Sequence, residues 1–326
     1  MRRRKFLGVL SGGAVAWACS ARAQQPAKTA RIGFLGLAPA SAWQEQIEAF
    51  RAGLRDFGYV EGRNITIDFE WAADIAETAE LAARLVRSNV DIILAPASTQ
   101  VEPARQATRT IPIVFAQHAD PIGIGHVASL ARPGGNITGM SMVLTEMSVK
   151  GLEILVETVP NAKRIGVLWN PTTPTHPHIL TALRSAALTA GVELVLAPAQ
   201  TVEDFEGAYA AMSRDRVSGV LVPSSPLTNS QRTALAELGV KHALPPMFAN
   251  KANVQAGGLM SYGSDFNYMY RRVAFYIDKI LKGERPAELP VEQASKYQLV
   301  INLKTARALG IAVPPTLLAR ADEVIE

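Results

Sequence analysis

"RIGFLGL" (residues 31–37) comes back as "KRIGVLWN" (163–170), and this echo decides how the chain is organised. Each phrase is a short apolar run of the kind that forms a parallel strand buried on both faces. After the first, residues 43–57 place Ile47, Phe50, Leu54 and Phe57 at helical spacing. "NITIDFEW" (64–71) alternates as a strand, and 75–88 returns to helix through Leu81, Leu85 and Val86. "VDIILA" (90–95) and "IPIVFA" (111–116) are strands around a helix over 100–109, and "GNITGM" (135–140) adds a fifth strand. After the second phrase come helices near 176–190, 203–214 and 229–239. Between and beyond them run "VELVLA" (192–197), "VSGVLVP" (217–223), "PPMFAN" (245–250) and "GGLMSYG" (257–263). Strands alternating with helices predict an α/β fold. The restart at 163 predicts two successive Rossmann-like lobes, each an open parallel sheet flanked by helices. A single barrel would need eight equivalent units in one unbroken run.

Length and composition agree with that division. The chain has 326 residues, 48% of them hydrophobic, enough for about two domains at roughly 150 residues each. The N-terminus is set apart. Residues 1–23 begin with Arg2, Arg3, Arg4 and Lys5, continue through a short apolar run and end in Ala21-Arg22-Ala23. A basic start, a short apolar stretch and a small-x-small end form an export signal, here of the twin-arginine kind. That segment holds five of the 33 Lys and Arg, none of the 29 Asp and Glu, and the single cysteine, Cys19. The mature chain is therefore 28 − 29 = −1 and cysteine-free. A chain so balanced is not expected to bind nucleic acid. No later apolar run approaches the ~20 residues of a membrane span, so a periplasmic protein without direct membrane insertion is expected.

Ligands of open parallel sheets bind beyond the carboxyl ends of the strands, so the candidate residues are those of the loops that follow. In the first half these are Ser41, Trp43, Ser98, Thr99, Gln117, His118 and Asp120. In the second half they are Asn170, Thr172, Thr173, Ser224, Ser225, Asn250 and Tyr262. Hydroxyl and amide groups suit a small polar ligand held by hydrogen bonds. Trp43 would stack on an aromatic ligand or else start its helix as a buried residue. Ser98, Thr99, Ser224 and Ser225 stand where helices start, so each either caps a helix or meets a ligand carboxylate there.

"VFAQHADPIGIGH" (114–126) invites a catalytic reading, because it gathers His118, Asp120 and His126. Asp120-Pro121 is a helix-start signal, with Asp as N-cap and Pro at the first position, which would put His126 on a helix in a structural role. Gly123, Gly125 and Ala128 match G-x-G-x-x-A, but too late after the strand to cradle a phosphate. His118, Asp120 and His126 lack the spacing of a metal site, and in "THPH" (175–178) His176 and His178 have no third ligand. Nucleophile-elbow, zinc-protease and phosphate-loop motifs are absent from the sequence. No catalytic residue, metal or cofactor is therefore expected.

Four stretches carry a resemblance to a known family. "FRAGLRDFGYVEGRNITIDFEWA" (50–72), "IPIVFAQHADPIGIGHVASLARPGGNITGMS" (111–141), "YRRVAFYIDKILKGERPAELPVEQASKYQLVINLKTARALGI" (270–311) and the closing "LLARADEVIE" resemble ABC-transporter substrate-binding proteins. The resemblance is to the branch that contains tryptophan-binding proteins. It implies a type I periplasmic-binding-protein fold, with two lobes joined by three hinge crossovers near 141–143, 263–266 and 288–296. Residues 30–142 plus about 266–288 would then form lobe 1, and 143–263 plus about 292–326 lobe 2. It further implies a monomer that captures a small organic ligand, an amino acid or aromatic acid, by closing its cleft. The ligand would pass to an ABC permease driven by a separate ATPase subunit. A sensory binding protein presenting its ligand to a receptor has the same architecture, and an enzyme using His118 and Asp120 is a third reading. The family often has Gly-Asp-Pro where this chain has His118-Ala119-Asp120-Pro121, which brings a histidine to the cleft.

Overall fold

The computed structural model describes residues 29–37, 40–159 and 161–326, so the proposed export signal at 1–23 lies outside the described residues. Strand β1 (Ala30–Leu37) leads through a 3-10 turn to α1 (Gln44–Asp56), followed by β2 (Ile65–Ala72), α2 (Thr78–Arg87), β3 (Ile92–Leu94) and α3 (Ser98–Ala107). β4 (Ile113–His118) and β5 (Ile137–Ser141) come next, then α4 (Leu144–Thr158) and β6 (Arg164–Trp169). The echoed half continues with α5 (His176–Ala190), β7 (Glu193–Pro198), α6 (Asp204–Arg214), β8 (Gly219–Val222), α7 (Pro226–Ser230) and α8 (Arg232–Lys241). β9 (Pro246–Phe248), α9 (Lys251–Gln255), β10 (Met260–Ser264) and α10 (Phe266–Leu281) follow. The chain ends with β11 (Glu292–Gln293), β12 (Tyr297–Asn302), α11 (Leu303–Ala308), α12 (Pro315–Leu318) and β13 (Glu323–Ile325).

These strands form two sheets, in the orders β11-β5-β4-β3-β1-β2 and β13-β12-β10-β9-β8-β6-β7. All neighbours run parallel except β10 and β12. The two-sheet α/β architecture expected from the echoed phrases is the one observed. β1 and β6 occupy matching inner positions in their sheets, which is why both read as continuous apolar runs. Ile32, Phe34 and Leu35 are fully buried, as are Ile165, Val167 and Leu168. Helices cover both faces of each sheet, dividing the interior into four apolar clusters.

The chain passes from the first sheet to the second after β5, returns after β10 and passes over again after β11. α10, although it follows a strand of the second sheet, packs along α1 and over β4 and β5. It comes so close to α1 that a Cβ on Gly53 would overlap the Arg271 carbonyl. The three connecting segments lie side by side. The Ala294 N–H donates to the Ser141 carbonyl (2.8 Å), and the Asp265 N–H donates to the Lys296 carbonyl (3.0 Å). Beside them the rings of Tyr262 and Tyr297 stack with centroids 5.9 Å apart. No described helix is long and apolar enough to cross a membrane.

Three local expectations fail. No helix follows Asp120-Pro121: residues 121–126 form consecutive turns, with Gly125 at φ +79°. Two glycines within five residues make a helix costly at about 1 kcal/mol each. Asp120 still acts as a cap, but of a turn, its Oδ1 accepting the Gly123 N–H at 2.8 Å. His126 is accordingly in a buried turn, not on a helix. The helix expected near 229–239 starts earlier, at Pro226, and is broken at Gln231 into α7 and α8. Phe57, assigned to the apolar face of the first helix, is its C-cap and is exposed.

Candidate functional site

The loops beyond β3 and β4 are tied together by a histidine. His118, the last residue of β4, has no exposed surface. Its Nδ1 accepts the Asp120 backbone N–H at 3.1 Å, so its proton is on Nε2. That nitrogen lies 2.7 Å from Nδ1 of His126 and donates to it. The proton of His126 is then on Nε2, 2.9 Å from Oε2 of Glu102 on α3. Ser98, the first residue of α3, completes the array: its Oγ accepts the Ala119 N–H at 3.1 Å and lies 3.2 Å from Nδ1 of His118. Burial, reinforced by the neighbouring His126, pushes His118 down to about 3. Burial likewise lowers His126, against the pull of Glu102. Glu102 is held down to about 2 mainly by Arg105, which bonds both its oxygens at 2.7 and 2.8 Å. Both imidazoles are neutral, with every ring nitrogen engaged, so neither is free to take a proton from a bound molecule.

The second half repeats the device with a different histidine. His176, at the start of α5, is buried; its Nδ1 accepts the Asn170 N–H at 2.9 Å and its Nε2 donates to the Ser224 carbonyl at 3.1 Å. Burial lowers its pKa as well. It thereby joins the loop after β6 to the loop after β8. Asn170 Oδ1 in turn accepts from both the backbone N–H and the hydroxyl of Thr172, each at 2.8 Å. The Thr173 N–H closes that turn on the Asn170 carbonyl at 3.1 Å.

The remaining sequence candidates fall into distinct roles. Ser225 forms a capping box with Thr228 at the start of α7, and Asn250 caps α9 through the Ala252 N–H. Ser224 Oγ accepts from the Asn229 side chain at 2.9 Å. Thr99 donates to its neighbour Gln100, and Gln117 is half-buried, its backbone N–H on the Pro96 carbonyl. Trp43 is half-buried; it gives its indole N–H to the Leu37 carbonyl at 2.7 Å and lies beside the rings of Phe34, Trp71 and Tyr270. Ser41 is exposed in the 3-10 turn before α1. Tyr262 stacks on Tyr297 beside the connecting segments.

A cavity of about 280 Å³ lies between the loops of the two sheets. The first sheet contributes the loop Ala119 to Ile122, which the His118 array holds, together with Gln293 of β11. The first connecting segment and the start of α4 contribute Ser141 through Glu146. The start of α5 contributes Thr175 and His178. Of the sequence candidates only Asp120 lines this cavity directly. Its lining has two carboxylates, Asp120 and Glu146, and neither lysine nor arginine. Thr175, unmarked by sequence reasoning, is 6% exposed, and its Oγ1 is buried without a hydrogen-bond partner. The available sign was its place just before the buried helix start, which equally suits a cap, yet α5 has no side-chain cap. Among the described residues no group of three His, Cys, Asp or Glu is arranged to hold a metal. The site offers hydrogen bonds, carboxylates and apolar walls for a small ligand.

Comparison with known proteins places this geometry. The family described as "ABC transporter substrate binding protein" matches residues 37–325. A tyrosine-binding protein of Clostridioides difficile (strain R20291) is 27% identical over 285 residues, 87% of this chain and 82% of the relative. The crystal structure of an ABC domain in complex with L-Trp from Streptococcus pneumoniae is 26% identical, with a TM-score of 0.83 over 91% of this chain and 100% of that one. A ligand-free, open substrate-binding protein with adhesive properties from Clostridium difficile is also 26% identical, with a TM-score of 0.72 over 91% of this chain and 99% of that one. With the two sheets, the three connections and a match over nearly the whole described chain, the protein belongs to the ABC transporter substrate-binding protein family.

Proposed function

We propose that this protein captures an amino acid or aromatic acid in the cavity between its two sheets, as a monomer, and delivers it to an ABC permease powered by a separate ATPase subunit. Residues 30–142 with about 266–288 would move as one lobe, and 143–263 with about 292–326 as the other. The three side-by-side connecting segments would serve as the hinge. The observation that carries this reading is the cavity itself, lined from both sheets and from the segments that join them. Its volume of about 280 Å³ lies just below the roughly 300–1,000 Å³ of ligand sites, which suits a small ligand. Relatives that bind tyrosine and L-Trp support the ligand class. The better superposition on the L-Trp-bound relative than on the open, ligand-free one supports a closed arrangement of this chain. The basic, apolar leader at 1–23 supports export, with the ligand met outside the cytoplasm.

A ligand that binds only the native state raises its stability by RT ln(1 + [L]/Kd), about 2.7 kcal/mol at a hundredfold excess over Kd. For domains of this size that is a rise in Tm of roughly 5–10 °C. A thermal-shift panel of the mature chain against amino acids, aromatic acids and sugars tests the proposal. Stabilisation by one or more amino or aromatic acids is expected, and stabilisation by sugars alone would overturn it.

A further inference from the structure

Residues 119–122 line the cavity and belong to a loop whose two ends are fastened by a pair of buried histidines. At the first end, Nδ1 of His118 accepts the Asp120 N–H at 3.1 Å, and Ser98 Oγ accepts the Ala119 N–H at 3.1 Å. At the second, the His126 and Val127 N–H groups donate to the Pro121 carbonyl at 2.9 and 3.1 Å. The bond from Nε2 of His118 to Nδ1 of His126, 2.7 Å long, ties one end to the other. Between the ends, Ile122, Gly123 and Gly125 are exposed, so the tip buries little of its own. The position of this wall therefore depends on the histidine pair.

The pair has no place for an added proton. Each imidazole offers one acceptor and one donor nitrogen, and all four nitrogens are engaged. A proton on Nδ1 of His118 sets two donors face to face at the Asp120 N–H. A proton on Nδ1 of His126 does the same across the 2.7 Å contact. His118 escapes that second conflict only by moving its own hydrogen to Nδ1, which creates the first. Every protonation thus breaks a bond that fastens the loop.

The charged groups facing the pair do not offset this. On α3, Glu102 accepts from His126 but is itself bound through both oxygens by Arg105. Asp120 turns its carboxylate to the Gly123 N–H, and β5 brings the neutral hydroxyl of Ser141 to the His118 carbonyl. Burial favours the neutral form of both rings while the loop is fastened. In an unfastened loop water receives the charge, and a histidine there titrates near its ordinary value of about 6.5.

We propose that His118 and His126 form a proton-operated latch on the cavity wall: in acid the pair takes up a proton, the loop at 119–126 is unfastened, and the ligand is released. This rests on the interlobe capture proposed above and adds its regulation. The fastened loop binds fewer protons than the unfastened one, so the latch is complete above about pH 6.5 and weakens as pH falls. Affinity falls in proportion to the fraction of molecules still latched.

The test uses the mature chain at pH 7.5, 6.5, 5.5 and 4.5, with circular dichroism confirming that it stays folded. Isothermal titration with L-tryptophan and L-tyrosine reads affinity, and amide hydrogen exchange of residues 119–126 without ligand, corrected for intrinsic rates, reads the loop. In the parent, affinity is expected to fall about tenfold or more from pH 7.5 to 4.5, with a matching rise in loop exchange. His126→Asn keeps an acceptor for Nε2 of His118 and does not titrate, so its affinity should change less than about threefold. Glu102→Gln removes the carboxylate that draws a proton to His126 and should move the fall to lower pH; it decides the matter if His126→Asn does not fold. Parent affinity and loop exchange that stay constant to pH 4.5 would overturn the latch. So would a fall that persists unchanged in both variants, which would place the titration on the cavity groups Asp120, Glu146 or His178. If the parent binds neither amino acid, the capture reading fails, and loop exchange alone judges the latch. An acid-induced rise in the parent that is absent from His126→Asn supports it, and no rise overturns it.

Discussion

Replacing His118 by Asn should change how stability depends on pH more distinctively than it changes stability itself. His118 titrates near 6.5 when unfolded, but burial and the adjacent His126 hold it down to about 3 in the folded chain. Between those values the unfolded chain carries a proton that the folded chain does not, so stability rises with pH, by ~1.4 kcal/mol per unit at most. The contribution is complete above about pH 6.5 and is lost as pH falls toward 3. Integrated from pH 7.5 down to pH 5, it amounts to about 2 kcal/mol for this one side chain. His126 and His176, also lowered by burial, add in the same sense. Asn keeps an acceptor near the position of Nδ1 for the Asp120 N–H but leaves Nδ1 of His126 without its donor. At pH 7.5 the variant should therefore be less stable by about 1–3 kcal/mol. Because Asn does not titrate, that gap should shrink by about 2 kcal/mol at pH 5. Urea unfolding at pH 7.5, 6.5, 5.5 and 5.0, followed by tryptophan fluorescence, measures the gap directly. A gap that stays constant across this range would refute a buried, neutral His118.

Three further substitutions probe the frame around the cavity. Ser225→Ala removes the capping box of α7 and should cost about 1 kcal/mol, a fall in Tm of roughly 2–4 °C by calorimetry. Gly139→Ala places a side chain at φ +146°, where its Cβ would overlap the Phe115 carbonyl on the neighbouring strand. A loss of about 3 kcal/mol or more in urea unfolding is expected. His176→Phe leaves the Asn170 N–H and Ser224 carbonyl without their shared partner. It should destabilise by about 1–3 kcal/mol and speed amide hydrogen exchange in the loops at 170–175 and 222–226.

Much of the fold was legible because parallel strands buried on both faces are apolar at every position. β1 and β6 could thus be found as phrases, and the helices between them by their periodic apolar face. The loop after β4 was misread for a local reason. Asp120-Pro121 is a sound helix start, and only Gly123 and Gly125, with Gly125 held at positive φ, turn it into a chain of turns. The histidines resisted a different way. That His118, His126 and His176 each bridge two loops depends on residues up to 48 positions apart, and one-dimensional spacing does not encode such bridges. Thr175 was missed because a threonine ahead of a helix is ordinarily its cap. The orphaned hydroxyl emerges only when the neighbours that do not reach it are in place.

The central claim is that the ligand sits between the two sheets, and a crystal structure of the mature chain grown with L-tryptophan or L-tyrosine tests it most directly. The account predicts one amino acid enclosed between the Ala119–Ile122 loop and the starts of α4 and α5, with Asp120 within hydrogen-bonding distance of it. An amino acid bound on the outer surface of either lobe, with the interlobe cavity filled only by water, would contradict it.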